Sequence, residues 1–523
     1  MTEAMRKILR AIQTQSNGES AEGLPLAAMM TALVVLFFGG LIQSMTYLNH
    51  DVAWVLYSAE RLLDGGTFGS EIIAANPPLI WWINVPVVWL ARLLETDPIN
   101  SFRAVVLMIL TISLAASDRI LSTSGMHPRK RAGLLIGLAL ILTLGVNRDF
   151  GQREHLALSL CLPWLLIMAR RVEGIAPSWA GALVAGTAAG IAICLKPHFL
   201  AVPVLAGLFV AFRCRSLRQV LSLESAAIVL TGVFYLAATW AFARPYLTEV
   251  VPLISQIYWG FSHSLTQEIF SQSFPIILCF TALIVGWKNK EAPAAMITAL
   301  AALGFLVAAL AQAKGYTYHI YPVVALTLMS LALSVLASPL RRFRAVATGA
   351  LAGGLLLMTL QSTAALGNRM AGGAYGRTTA CLVDMVKLHV PKNASFMAFS
   401  THPYPGFPVA NYSQRRWVAT TNSRLPLPAI VRLRAAGDLQ PQATRVLALA
   451  EAAERAAALK DMGQRPSLVF VDNRTTRHAI GTLPTDFIKF YTEDPDFARI
   501  WSNYYEINTC APGIRAFKLL KES

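Results

Sequence analysis

The residues able to do chemistry sit where apolar runs end. His50 and Asp51 follow directly on a run that closes at Leu48, in "SMTYLNHDVAWVLYSAERLLDGG" (44–66). Arg153, Glu154 and His155 stand in "NRDFGQREHLALSL", Lys196 and His198 in "ICLKPHFLAVP", and Lys314, Tyr316, Tyr318 and His319 in "AQAKGYTYHIYP". Asp51 has two readings: it opens a helix as an N-cap does, or it is a general base facing water beyond an apolar layer. Glu154 is either an acid favoured at a helix N-terminus or a second functional carboxylate. In the latter role it orients a substrate, pairs with Arg153, or shares a divalent cation with Asp51. A Mg2+ or Mn2+ site on two carboxylates is chemically feasible, although nothing in the pattern requires a cofactor. The two Lys-His junctions are either snorkelling cations or a site for phosphate, binding it and the charge that grows on it as it leaves. His50, His155, Tyr316 and Tyr318 are candidates for further substrate contacts.

The elements that position these groups are membrane spans. The 523 residues are 55% hydrophobic and only 14% charged, and apolar runs of span length recur through the first 366 positions. They lie near 25–48, 79–95, 102–123, 131–147, 155–171, 177–195, 197–212, 222–243, 273–287, 293–311, 318–337 and 344–366. The first is too long for a cleaved leader and reads as a retained helix. The net charge of +16 sits in short loops ("HPRKR", "ARR", "RCRSLR", "WKNK", "RRFR"), which is positive-inside patterning. It forms no basic stripe with interleaved aromatics, so nucleic acid is excluded as a partner. Run 79–95 contains Pro86 and ends in charge; taken as re-entrant or juxtamembrane, it puts all five basic clusters on the cytoplasmic side. The expectation is about eleven full spans, the N-terminus inside and the C-terminus outside. The chemistry-bearing residues then meet on one outer face, where ionisable groups are costly and usually have a function.

Three segments follow: a cytoplasmic tail (1–24), a transmembrane domain (25–375) whose first outer loop is 49–101, and an outer domain (376–523). In the last, "SLVFVDN" reads as a buried strand and "ATRVLALAEAAERAAALKDMG" as a helix stopped by glycine, giving a soluble α/β unit. Cys381 and Cys510 stand near its two ends, where a disulfide would close it. The sequons at Asn393, Asn411 and Asn473 carry little weight, since such triplets arise by chance. The aromatics of outer loop 244–270 (Tyr246, Tyr258, Trp259, Phe261) and His263 are interface-belt residues or the lining of a substrate entrance.

An acid just after the first span, a helix, the "DGGTFG" turn and the "PPL-x-W-W" re-entry resemble the GT-C glycosyltransferase superfamily. The likeness is to the lipid A aminoarabinose transferases and the protein O-mannosyltransferases, and it covers residues 25–340 at the level of layout. The resemblance implies a polytopic helical enzyme with Asp51 catalytic and Glu154 at the second acidic position. It also implies an undecaprenyl- or dolichyl-phosphate-linked sugar donor and an acceptor in the envelope: a glycolipid, a polysaccharide or a protein. It places the active site and the C-terminal domain on the periplasmic side of a bacterial inner membrane. Two departures stand out: the family's Asp-Glu pair is Asp51-Val52 here, and the Lys that often precedes Pro-Pro is Asn76. The mechanism implied is an inverting displacement in which Asp51 takes the acceptor's proton. The leaving phosphate is met by Arg153, Lys196, His198, Lys314 and His319. The alternatives are a transporter or flippase, which usually shows repeats and broken midplane helices, and a non-catalytic subunit of a polysaccharide system. Neither a P-loop nor a dinucleotide fingerprint is present.

Overall fold

A computed structural model describes residues 29–337 and 341–520; the expected tail 1–24 lies outside the described residues. Among the described residues the apolar runs are helical, several of them as successive helical segments. Among the described residues, seven helices are long and apolar enough to cross a membrane, or eight if the bent pair Leu265–Ser271 and Ser273–Lys288 is one span. Eleven spans are therefore not reached by length. The 16-residue helix Trp179–Cys194 rises about 24 Å, short of the roughly 30 Å hydrocarbon layer, and Met29–Ser44 is another shorter apolar helix. The 79–95 run breaks into two short helices, Leu79–Trp82 and Val85–Leu93.

Helix Arg153–Val172 is the axis of the bundle, 83% of its apolar window being buried, whereas Leu223–Phe242 is only 11% buried and presents Val229, Phe234 and Trp240 outward. With no water to drive burial between helices in lipid, such an outward apolar face is the ordinary one. Three of the basic loops meet at one end of the bundle. Lys130 donates to the Leu336 carbonyl (2.6 Å), Asn289 to Ser334 (3.3 Å), Arg170 binds the Thr123 carbonyl, and Arg171 pairs with buried Glu224.

At the other end the chain forms the domain expected to lie outside, here called the outer domain, built on a five-stranded sheet. Its strands are β1 Ser395–Phe399, β2 Arg416–Trp417, β3 Leu468–Asp472, β4 Tyr504–Ile507 and β5 Ile514–Leu519, in the order β2-β1-β3-β5-β4. The first three are parallel, β5 runs antiparallel to β3, and β4 runs antiparallel to β5. β1 and β3 are buried along their whole length, as continuous apolar strands covered by helices on both faces are. "SLVFVDN" is thus the strand expected, and 441–463 the helix expected. A disulfide joins Cys381 to Cys510.

The outer domain is bound to the first outer loop. Asn411 donates to the Ala53 carbonyl (3.0 Å), the Trp417 N–H to the Tyr57 hydroxyl (2.8 Å), and the Ile73 N–H to the Thr420 carbonyl (2.9 Å). These bonds seat it over the loop that carries Asp51.

Candidate active site

Asp51 is not the cap of its helix. Asn49 is: its side-chain oxygen accepts the Asp51 N–H (2.8 Å), and helix His50–Leu63 starts after it. Asn is among the most favoured cap residues, level with Asp and Ser, and in taking that place it frees the Asp51 carboxylate for other work. Asn49 also organises what surrounds it. It accepts a hydrogen bond from Gln152 (3.0 Å) and donates one to Asp149 (2.9 Å), while Gln152 donates to Asp51 (3.3 Å). One amide pair thus holds two carboxylates in register.

A cavity of about 360 Å³ opens here, between the outer ends of the membrane helices and the outer domain. Asp51 and Asp149 line it, with Arg148, Arg153 and Lys314 as its cations. Arg153 is 3% exposed, its Nη1 has no hydrogen-bond partner, and its guanidinium lies over the Tyr318 ring at 5.9 Å. Lys314 is 9% exposed and rests on the Tyr258 ring, 3.3 Å from its centroid. Among the described residues neither forms an ion pair. Buried cations without a carboxylate are expensive, and an anion would complete them. Backbone geometry aims them. Ala313 and Gly315 both take positive φ (+45° and +65°), which ends helix Pro293–Gln312 and turns Lys314 and Tyr316 inward.

Electrostatics separates the two carboxylates. Burial alone would raise Asp51, but the His50 ring, the Arg153 guanidinium and the Gln152 amide outweigh it and hold the carboxyl below the usual range. Asp149 is raised to about 6, chiefly by burial, despite Arg148 and the Thr317 hydroxyl. His50 is lowered to about 4 by burial and is neutral at pH 7. Burial lowers Lys314 to about 6, with Lys196 and Arg153 adding to the shift. The two environments push the acids apart, and Asp51 is the one held fully ionised at pH 7.

The structure divides the residues expected to form the site. His50, Asp51, Arg153, Lys314, Tyr316 and Tyr318 line the cavity. Glu154, Lys196 and His319 do not; they form a cluster behind it. Lys196 binds Glu154, Gln312 (3.1 Å) and His319 (2.9 Å), and its ammonium lies 5.4 Å from the Tyr318 ring. The reason is angular: one step along a helix rotates a side chain by about 100°, so Arg153 facing the cavity turns Glu154 into the bundle. His155 is fully buried, its Nδ1 accepting the Gly151 N–H (3.0 Å) and its ring packing on Phe150 and Tyr321. His198 is exposed and lies outside the cavity. A cation shared by Asp51 and Glu154 does not fit, since Glu154 is committed to Lys196. Among the described residues no three His, Cys, Asp or Glu side chains converge as metal ligands.

The sequence did not single out Asp149 as the second carboxylate, nor His402, Asn422, Ser423 and His478 of the outer domain as part of the cavity wall. Only the "NRDFGQREH" spacing hinted at the first. The others enter through long-range packing, for which a single sequence has no signal.

No family model matches the chain, and no curated protein does. Among solved structures the chain is similar to the arabinofuranosyltransferase AftD from mycobacteria, at 14% identity and a TM-score of 0.45. The alignment covers 95% of this chain and 40% of that one, so the chain spans less than half the length of AftD. At that level no residue role and no substrate passes from one protein to the other.

Proposed function

We propose that the protein is a membrane glycosyltransferase that moves a sugar from a polyprenyl-phosphate donor to an envelope acceptor at the outer face of the membrane. The observation that carries this is an ionised Asp51 lining one cavity with two buried basic side chains that have no carboxylate partner: Arg153, and Lys314, which gains its proton when an anion arrives. The donor's isoprenoid tail lies among the helices and its phosphodiester meets Arg153 and Lys314. Asp51 removes the proton from an acceptor hydroxyl, whose oxygen bonds to the anomeric carbon. The carbon–phosphate-oxygen bond breaks, and polyprenyl phosphate departs with its charge on the two cations. A single displacement inverts the anomeric centre. Glu154, Lys196 and His319 act from behind, fixing Tyr318 and through it Arg153. The positive-inside pattern supports a cavity on the non-cytoplasmic side, and the GT-C resemblance supports reading that side as the periplasm of a bacterial inner membrane.

Purified protein incubated with labelled polyprenyl-phosphate sugars and an envelope extract tests this. The expected result is label in an acceptor with opposite anomeric configuration and free polyprenyl phosphate. Donor left intact across a panel of hexose and pentose carriers would overturn it.

A further inference from the structure

We infer that the outer domain supplies the acceptor subsite of the same cavity, and that the acceptor is an uncharged, polyhydroxylated glycan. The inference rests on the sugar-transfer reading above. Its ground is how the lining is divided. All three cations, Arg148, Arg153 and Lys314, and both carboxylates come from the membrane helices and their junctions. The outer domain contributes His402, Asn422, Ser423 and His478 and not one formally charged side chain. A phosphorylated acceptor would find no cation on that wall, and a cationic one no carboxylate. Sugar hydroxyls match amide, hydroxyl and imidazole groups, which offer single donors and acceptors.

Both imidazoles have a polar partner, and the tautomer of His402 is defined. His402 Nδ1 accepts the Tyr404 N–H (3.0 Å), so in the neutral ring the proton stands on Nε2 as a donor. His478 Nε2 meets the Tyr316 hydroxyl (3.2 Å), and the two rings stack at 5.7 Å, giving a flat face for sugar C–H groups. Burial keeps both rings uncharged: His478 falls to about 4 and His402 well below its ordinary value. His402 also lies against His50 at 4.2 Å, which brings the wall beside Asp51.

The wall is positioned from both sides. Arg432 donates to the Ala479 carbonyl (3.0 and 2.7 Å) and to the Ser262 carbonyl of the outer loop (2.8 Å), tying the His478 segment to the membrane domain. Buried Arg424, paired with Glu454 and Asp461 at 2.6 Å each, anchors the segment carrying Asn422 and Ser423.

The test uses the full chain in lipid nanodiscs with a labelled donor and two acceptor series: neutral octyl glycosides and their phosphate monoesters. Transfer to the neutral series is expected. His478→Ala and Asn422→Ala each raise acceptor KM about tenfold, the effect of one lost hydrogen bond, with donor KM shifted less than about twofold on the same scale. His478→Gln, which keeps a hydrogen-bonding side chain, recovers part of the loss and shows that the effect is not misfolding. Preference for the phosphate monoesters, or donor KM rising as far as acceptor KM, overturns the inference and leaves sugar transfer standing. Donor unconsumed by wild type with every acceptor overturns both.

Discussion

Lys314 and Arg153 enter the cavity with no carboxylate of their own, and this gives the site a pH signature. Burial holds Lys314 at about 6, so it is mostly uncharged at pH 7 until an anion joins it. A phosphodiester favours its charged form, so donor binding takes up a proton. Donor KM is therefore expected to rise as pH climbs above 6, by up to about tenfold per unit, and the slope to flatten in Lys314→Arg, which stays charged. Initial rates between pH 6 and 8.5 at varied donor check this; a pH-independent KM in wild type would contradict it. At this scale the sequence was legible only in part. Lys314 and Asp51 were visible as charges at run ends. Nothing local revealed that Asn49 takes the cap and leaves Asp51 free, or that Asp149 is the second acid, because the Gln152–Asn49 amide network spans about a hundred positions of chain.

The elements that deliver these groups do so through short junctions with little slack. Gly151 is the tightest. Its φ is +78°, and a Cβ there would stand 2.3 Å from the Phe102 ring, in a turn that sets both Gln152 and Arg153. Gly151→Ala is expected to cost about 1–3 kcal/mol and to slow transfer by misplacing those two side chains, read as a lowered thermal midpoint together with a lowered kcat. A variant of wild-type stability and rate would show that the turn has room. Apolar runs and their order were readable because a bilayer demands long apolar segments. The span count was not, since composition fixes that a run is apolar but not where a helix kinks or stops. Helices 79–82 and 85–93 are the clearest case.

For the whole molecule, the outer domain forms part of the cavity wall, through His402, Asn422, Ser423 and His478, and on the proposed reading it belongs to the active site. Its sheet was foreshadowed by "SLVFVDN", but its contribution to the cavity depends on docking against the first outer loop. The Cys381–Cys510 bond closes a 129-residue separation across this domain. Replacing both cysteines by serine is expected to destabilise it by about 2–5 kcal/mol and to lower transfer in parallel. Thermal unfolding of the variant, followed with activity on the same samples, measures both. Loss of outer-domain stability with full activity would separate the domain from catalysis.

If Asp51 is the base, its loss falls on the chemical step. The steady-state rate of Asp51→Asn is measured beside wild type, with kcat and donor KM determined separately on a labelled polyprenyl-phosphate sugar. A kcat lower by about 10²- to 10⁴-fold is expected, with a donor KM that changes little, since on this reading Arg153 and Lys314 hold the phosphate. Transfer by the variant at the wild-type kcat would contradict it.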